Sequence, residues 1–79
     1  MKTIHIEYFA ILRETAGTQA EALETSATTP GELYQELQAR YPFPDSGTLK
    51  VAVNDEFGSW DMPLNDGDRL VFIPPVAGG

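Results

Sequence analysis

Residues 29–44 read Thr-Pro-Gly-Glu-Leu-Tyr-Gln-Glu-Leu-Gln-Ala-Arg-Tyr-Pro-Phe-Pro, and they decide the fold by holding its one complete helix. Thr29 is a capping residue, Pro30 suits the first helical position, and Glu32 completes a capping box. Leu33, Leu37 and Tyr41 recur at i, i+4 and i+8 and make one apolar stripe. Pro42 and Pro44 stop the helix, because each lacks an N–H and restricts its predecessor. A helix with a single apolar stripe must cover one face of another layer.

The flanking sequence supplies that layer as strands. Thr3 to Phe9 alternates, with Ile4, Ile6 and Tyr8 on one side and His5, Glu7 and Phe9 on the other. Phe9 is the odd member, an aromatic on the polar side. Ala10 to Ala16 suits a short helical turn, and Gly17 can end it. Gln19 to Ser26 is a weaker strand whose only large apolar residue is Leu23, with charge on each face. Such a strand belongs at a sheet edge. After the helix, Asp45-Ser46-Gly47 is loop, and Leu49, Val51 and Val53 alternate with Lys50 and Ala52. Asn54-Asp55 favours a turn, Phe57 to Trp60 a short strand or bulge, and Asp66-Gly67-Asp68 another turn. Leu70 to Ile73 is a continuous apolar run, as in a central strand, and Pro74-Pro75 ends it. The expected class is α+β, with one main helix on one face of a mixed sheet. A last strand returning beside the first gives the β-grasp arrangement. Residues 1–73 form the domain on this reading, and 74–79 an extended tail.

Composition removes most function classes. The chain has 79 residues, so one domain with a small core. Twelve acidic against five basic side chains give a formal charge of -7. That disfavours nucleic acid, whose phosphates need clustered Lys and Arg, and an anionic membrane surface. No Cys means no disulfide framework, zinc knuckle or internal thiol nucleophile, and one His cannot build a His-rich metal site. No phosphate loop, nucleophile elbow or calcium loop is present. His5 reads as a solvated strand residue, and the scattered carboxylates as a solubilising surface. No metal site and no tightly bound cofactor are expected. With neither a targeting segment nor a membrane-spanning apolar run, the expected location is cytoplasmic.

Chemistry is therefore sought at the C-terminus, Pro74-Pro75-Val76-Ala77-Gly78-Gly79. A random chain ends in Gly-Gly about once in 200 times, and a frayed tail is the ordinary alternative. Two prolines stiffen the exit, and six residues reach about 20 Å. Gly78 and Gly79 have no side chain to keep the terminal carbonyl out of a narrow pocket. The tail suits acyl chemistry at Gly79 inside another protein's active site. A carboxylate is a poor electrophile, so it first needs activation as a mixed anhydride with a nucleotide. Phe9, Ile73 and Phe57 are candidates for one apolar patch on the sheet face away from the helix, which on so small a domain marks a protein interface.

Four segments resemble one family: Tyr8-Phe9-Ala10-Ile11-Leu12-Arg13-Glu14 with Gly17, Ala52-Val53-Asn54, Leu64-Asn65-Asp66-Gly67-Asp68, and Phe72-Ile73-Pro74-Pro75-Val76-Ala77-Gly78-Gly79. In register along the whole chain, they are similar to the small subunits of molybdopterin synthase, the MoaD family of ubiquitin-like sulfur carriers. The resemblance implies that Gly79 is adenylated by an ATP-dependent enzyme similar to ubiquitin-activating enzymes. Sulfur from a persulfide donor then leaves a thiocarboxylate there. The tail, with Val76, Ala77 and Gly78 lining the approach, inserts into the large synthase subunit and gives sulfur to cyclic pyranopterin monophosphate. Two carriers per precursor imply a heterotetramer around a dimer of large subunits. The resemblance also implies a partner-binding surface at Phe9, Phe57, Ile73, Pro74 and Pro75. Position 73 is Ile where some members carry an aromatic. On this reading the chain is the sulfur-donating subunit of a sulfurtransferase and is not catalytic alone. The rival readings are a sulfur carrier of thiamine biosynthesis or transfer-RNA thiolation, a protein-conjugating relative, and a plain interaction module.

Overall fold

The computed structural model describes residues 1–74; the readings that fall on Pro75, Val76, Ala77, Gly78 and Gly79 lie outside the described residues. Along the chain run β1 (Lys2–Tyr8), α1 (Ile11–Ala16), β2 (Ala20–Thr25), α2 (Pro30–Arg40), a 3₁₀ turn (Ser46–Thr48), β3 (Lys50–Val53), β4 (Glu56–Gly58) and β5 (Arg69–Ile73). The strands form one mixed sheet in the order β2-β1-β5-β3-β4. β1 and β5 are parallel, with Ile6 opposite Leu70 and Tyr8 opposite Phe72. The other pairings are antiparallel. The apolar run of β5 takes the centre, and the charged β2 takes an edge, as the sequence predicts.

The core lies between the sheet and α2. Ile4, Ile6, Tyr8, Leu70 and Phe72 from the two central strands meet Leu33, Tyr34 and Leu37 of the helix, all at most 1% exposed. Burying each such side chain contributes roughly 1.5–3 kcal/mol. Tyr34 extends the expected stripe, whereas Tyr41 is half-buried and stands just past the helix as its C-cap. Trp60 and Phe43 lie in loops yet join the aromatic cluster. Phe72 stacks on Trp60 at 5.8 Å, and Tyr34 on Phe43 at 6.0 Å.

Helix α2 starts where the sequence puts it. The Thr29 hydroxyl accepts the Glu32 N–H at 3.2 Å. The return bond differs from a standard capping box. Glu32 Oε1 accepts the Thr28 N–H at 2.8 Å and the Thr28 hydroxyl at 3.0 Å. Thr28 offers two donors to one carboxylate oxygen, and these bonds hold Glu32 below the usual carboxylate range. Other carboxylates are also structural rather than merely solubilising. Asp68 is 9% exposed and accepts from Asn54 Nδ2 at 3.0 Å and from the Asn65 N–H at 2.8 Å. Glu21 Oε2 accepts the hydroxyls of Tyr8 at 2.6 Å and Tyr41 at 2.9 Å.

These phenols make the fold sensitive to alkali. Burial, then the Glu21 hydrogen bond, raises Tyr8 far above its ordinary value. Burial pushes Tyr34 up to about 12, and the Glu21 bond raises Tyr41. An unfolded phenol ionises near pH ~10, so above that pH the native state binds more protons than the unfolded one. This stabilisation is complete below pH ~10 and is lost as pH rises towards the folded values. A pH titration should show phenolate absorbance appearing together with loss of circular dichroism. Independent titration of all three tyrosines near pH ~10 with the fold intact would contradict this.

Candidate functional site

The sheet face opposite α2 follows from the register. β5 places Leu70 and Phe72 inward, so Arg69, Val71 and Ile73 point the other way. Val71 pairs with Ala52, which pairs with Phe57; Ile73 pairs with Lys50. A diagonal band of Ile73, Val71, Ala52 and Phe57 therefore crosses this face. Phe57 is 77% exposed, Ile73 is half-buried, and Val71 and Ala52 are each 9% exposed. Val71 and Ala52 were not singled out by sequence, although their alternation with Val51 and Phe72 was the signal available.

Phe9 is at the same end of the sheet as Ile73 but stands outside β1, which ends at Tyr8. The strand expected to include Phe9 stops one residue early because Ala10 turns the chain. The Phe9 carbonyl accepts the Leu12 N–H at 3.1 Å, and the Phe9 side chain is 43% exposed. Pro74 follows Ile73 directly and is half-buried. Thus β5, held in the middle of the sheet, leads the chain out beside Phe9 and Ile73. The register brings Ile73, Val71, Ala52 and Phe57 to one face and sets Phe9 at that face's end.

The band has a charged margin. Arg69 Nη2 lies 3.2 Å from Asp55 and 3.8 Å from Glu7, and these side chains are about half exposed or more. Such pairs contribute little to stability and serve better to border the surface. Lys50 is exposed beside Ile73. His5 is exposed on the same face, as its strand position predicts. Among the described residues no cluster of three or more His, Asp or Glu side chains is placed to hold a metal. What this face presents is a partly exposed apolar band with a charged margin.

The sequence pattern of the ThiS family matches residues 6–79. A molybdopterin synthase sulfur carrier subunit of Escherichia coli (strain K12) is 39% identical over 80 residues, covering 96% of this chain and 99% of that one. A protein of the same name from Mycobacterium tuberculosis (strain ATCC 25618 / H37Rv) is 35% identical over 83 residues, covering 100% of both chains. A solved structure described as the putative molybdopterin converting factor, subunit 1, from Pyrococcus furiosus superposes with a TM-score of 0.80. It is 30% identical and covers 96% of this chain and 100% of that one.

Proposed function

This chain belongs to the ThiS family, and from that premise we propose that it is the sulfur carrier subunit of molybdopterin synthase. The observation that carries the reading is the full-length similarity to proteins of that name. The fold supports it, because the central strand β5 leads into Pro74 at the end of the sheet where Phe9 and Ile73 lie.

The proposed chemistry runs at Gly79. A carboxylate oxygen of Gly79 attacks the α-phosphorus of ATP on a ubiquitin-activating-like adenylyltransferase, and pyrophosphate leaves. The terminal sulfur of a persulfide donor attacks the acyl carbon, and AMP leaves. A thiol then takes the donor sulfur into a disulfide, which releases the thiocarboxylate. Gly78, Ala77 and Val76 carry it into the large synthase subunit, where it gives sulfur to cyclic pyranopterin monophosphate. ATP serves the activating enzyme and is not a resident cofactor. No helix among the described residues is long and apolar enough to cross a membrane, and we place the carrier in the cytoplasm.

Mass spectrometry of the chain incubated with activating enzyme, ATP and a sulfur donor tests this reading. Oxygen-for-sulfur exchange at Gly79 is the expected result; its absence rules the carrier role out. The partner surface has its own test. Phe57→Asp should weaken binding to the large subunit by about tenfold or more, as loss of a buried aromatic anchor does. Its effect on the free chain should stay within about 0.5 kcal/mol, since Phe57 is 77% exposed. Calorimetric titration against the large subunit, with thermal unfolding in parallel, separates the two effects.

A further inference from the structure

We propose that Ala10 is a strained hinge whose relaxation accompanies docking, so that the free carrier holds its Phe9–Ile11 turn in a conformation the partner releases. The proposal rests on the reading of Phe9 as a partner contact. Ala10 has φ 53° and ψ -125°. Those are the angles of the first central residue of a type II′ turn, a place for glycine. The turn is closed by the Leu12 N–H donating to the Phe9 carbonyl at 3.1 Å. An alanine in that region persists only when its surroundings over-determine it.

Both anchors are fixed. Tyr8 is 0% exposed, its N–H donates to the Gln19 carbonyl at 2.9 Å, and its hydroxyl donates to Glu21 at 2.6 Å. Leu12 is also 0% exposed. Between them stand three exposed residues, Phe9, Ala10 and Ile11. Phe9 and Ile11 are large apolar side chains, 43% and 51% exposed. The turn therefore combines backbone strain with uncovered apolar surface, beside the end of β5 where the chain leaves. Rotating the peptides around Ala10 repositions Phe9 and Ile11 while the side chains of Tyr8 and Leu12 stay buried. In water that rotation relieves the strain but gives up the Leu12–Phe9 bond with no new contact in its place. Against an apolar partner, the contacts of Phe9 and Ile11 offset the lost bond, and release of strain adds to affinity.

Ala10→Gly in the full chain separates this from a merely structural turn. Glycine removes the strain from the free state, so the variant should melt higher than the parent. It should also bind the large synthase subunit about tenfold more weakly, because the strain released on docking is gone. Backbone carbon chemical shifts of Ala10 in the parent chain should move away from left-handed values when the large subunit is added. A variant that melts higher but binds as tightly as the parent would overturn the proposal. So would an Ala10 signal that keeps left-handed values in the complex, or a variant that melts no higher. Phe9→Ala is the control for the underlying reading. If it binds like the parent, the contact at Phe9 fails and the hinge fails with it. If it binds weakly while Ala10→Gly does not, only the hinge fails.

Discussion

Removing Gly79 should abolish sulfur loading and precursor conversion while leaving the fold intact. The truncated chain still ends in a carboxylate, now on Gly78, so the group itself is not lost. What is lost is reach: one residue of extended chain spans about 3.3–3.6 Å. Adenylation and sulfur transfer both need the acyl carbon held near its attacking atom, and a misplacement of about 1 Å can cost about 100-fold. A displacement more than three times larger leaves no productive geometry in either active site. Position 79 lies beyond β5, whose last core residue is Phe72, so thermal unfolding should be unchanged. The check is mass spectrometry of the loaded species together with precursor conversion by the reconstituted synthase. Conversion at the parental rate would rule out Gly79 as the sulfur-bearing residue.

Much of the framework was legible because it is periodic. The alternation of Ile4, Ile6 and Tyr8 and the run Leu70 to Ile73 gave the two central strands. Thr29, Pro30 and Glu32 gave the start of α2, and the charges around Leu23 gave the edge. The aromatic layer was not legible. Phe43 and Trp60 lie in loops, where burial follows from tertiary packing and leaves no repeat in the sequence. Tyr34 falls one residue after Leu33, outside a stripe counted by fours. The roles of Asp68 and Glu21 were hidden for a related reason: a carboxylate that accepts bonds from Asn54, Asn65, Tyr8 or Tyr41 looks no different in sequence from a solvated one.

The candidate site divides in the same way. Ile73 was reached by counting outward positions along the last strand, and the register puts it on one face with Phe57, which the sequence offered only as a further aromatic. Val71 and Ala52, which join them, were legible only as the alternates of Phe72 and Val51 and were not singled out. Phe9 was found for the wrong local reason. It stands out as an aromatic on a polar strand face, but the strand has ended and a turn presents it. Alanine is not a turn residue, so nothing in Phe9-Ala10-Ile11 announced that turn.

Phe72→Ala should unfold the free chain at physiological temperature. Phe72 is 0% exposed, stacks on Trp60 at 5.8 Å and meets Tyr34 at 5.0 Å. Truncating such a residue costs about 3–5 kcal/mol, and a core of this size supplies about 3–5 kcal/mol in total. A cost that matches or exceeds the stability available leaves about half of the chains or more unfolded. The neighbouring substitution Val71→Ala, on the outer face, removes two methyl groups from a less enclosed place and should leave the chain folded. Circular dichroism and Trp60 fluorescence during denaturant titration distinguish the pair. A Phe72→Ala chain with a parental midpoint would show that the sheet–helix layer is not what holds β5 in place. The consequence reaches the function directly. Phe72 fixes the strand whose next residues are Ile73 and Pro74, so its loss removes the platform for the reactive tail as well as the fold.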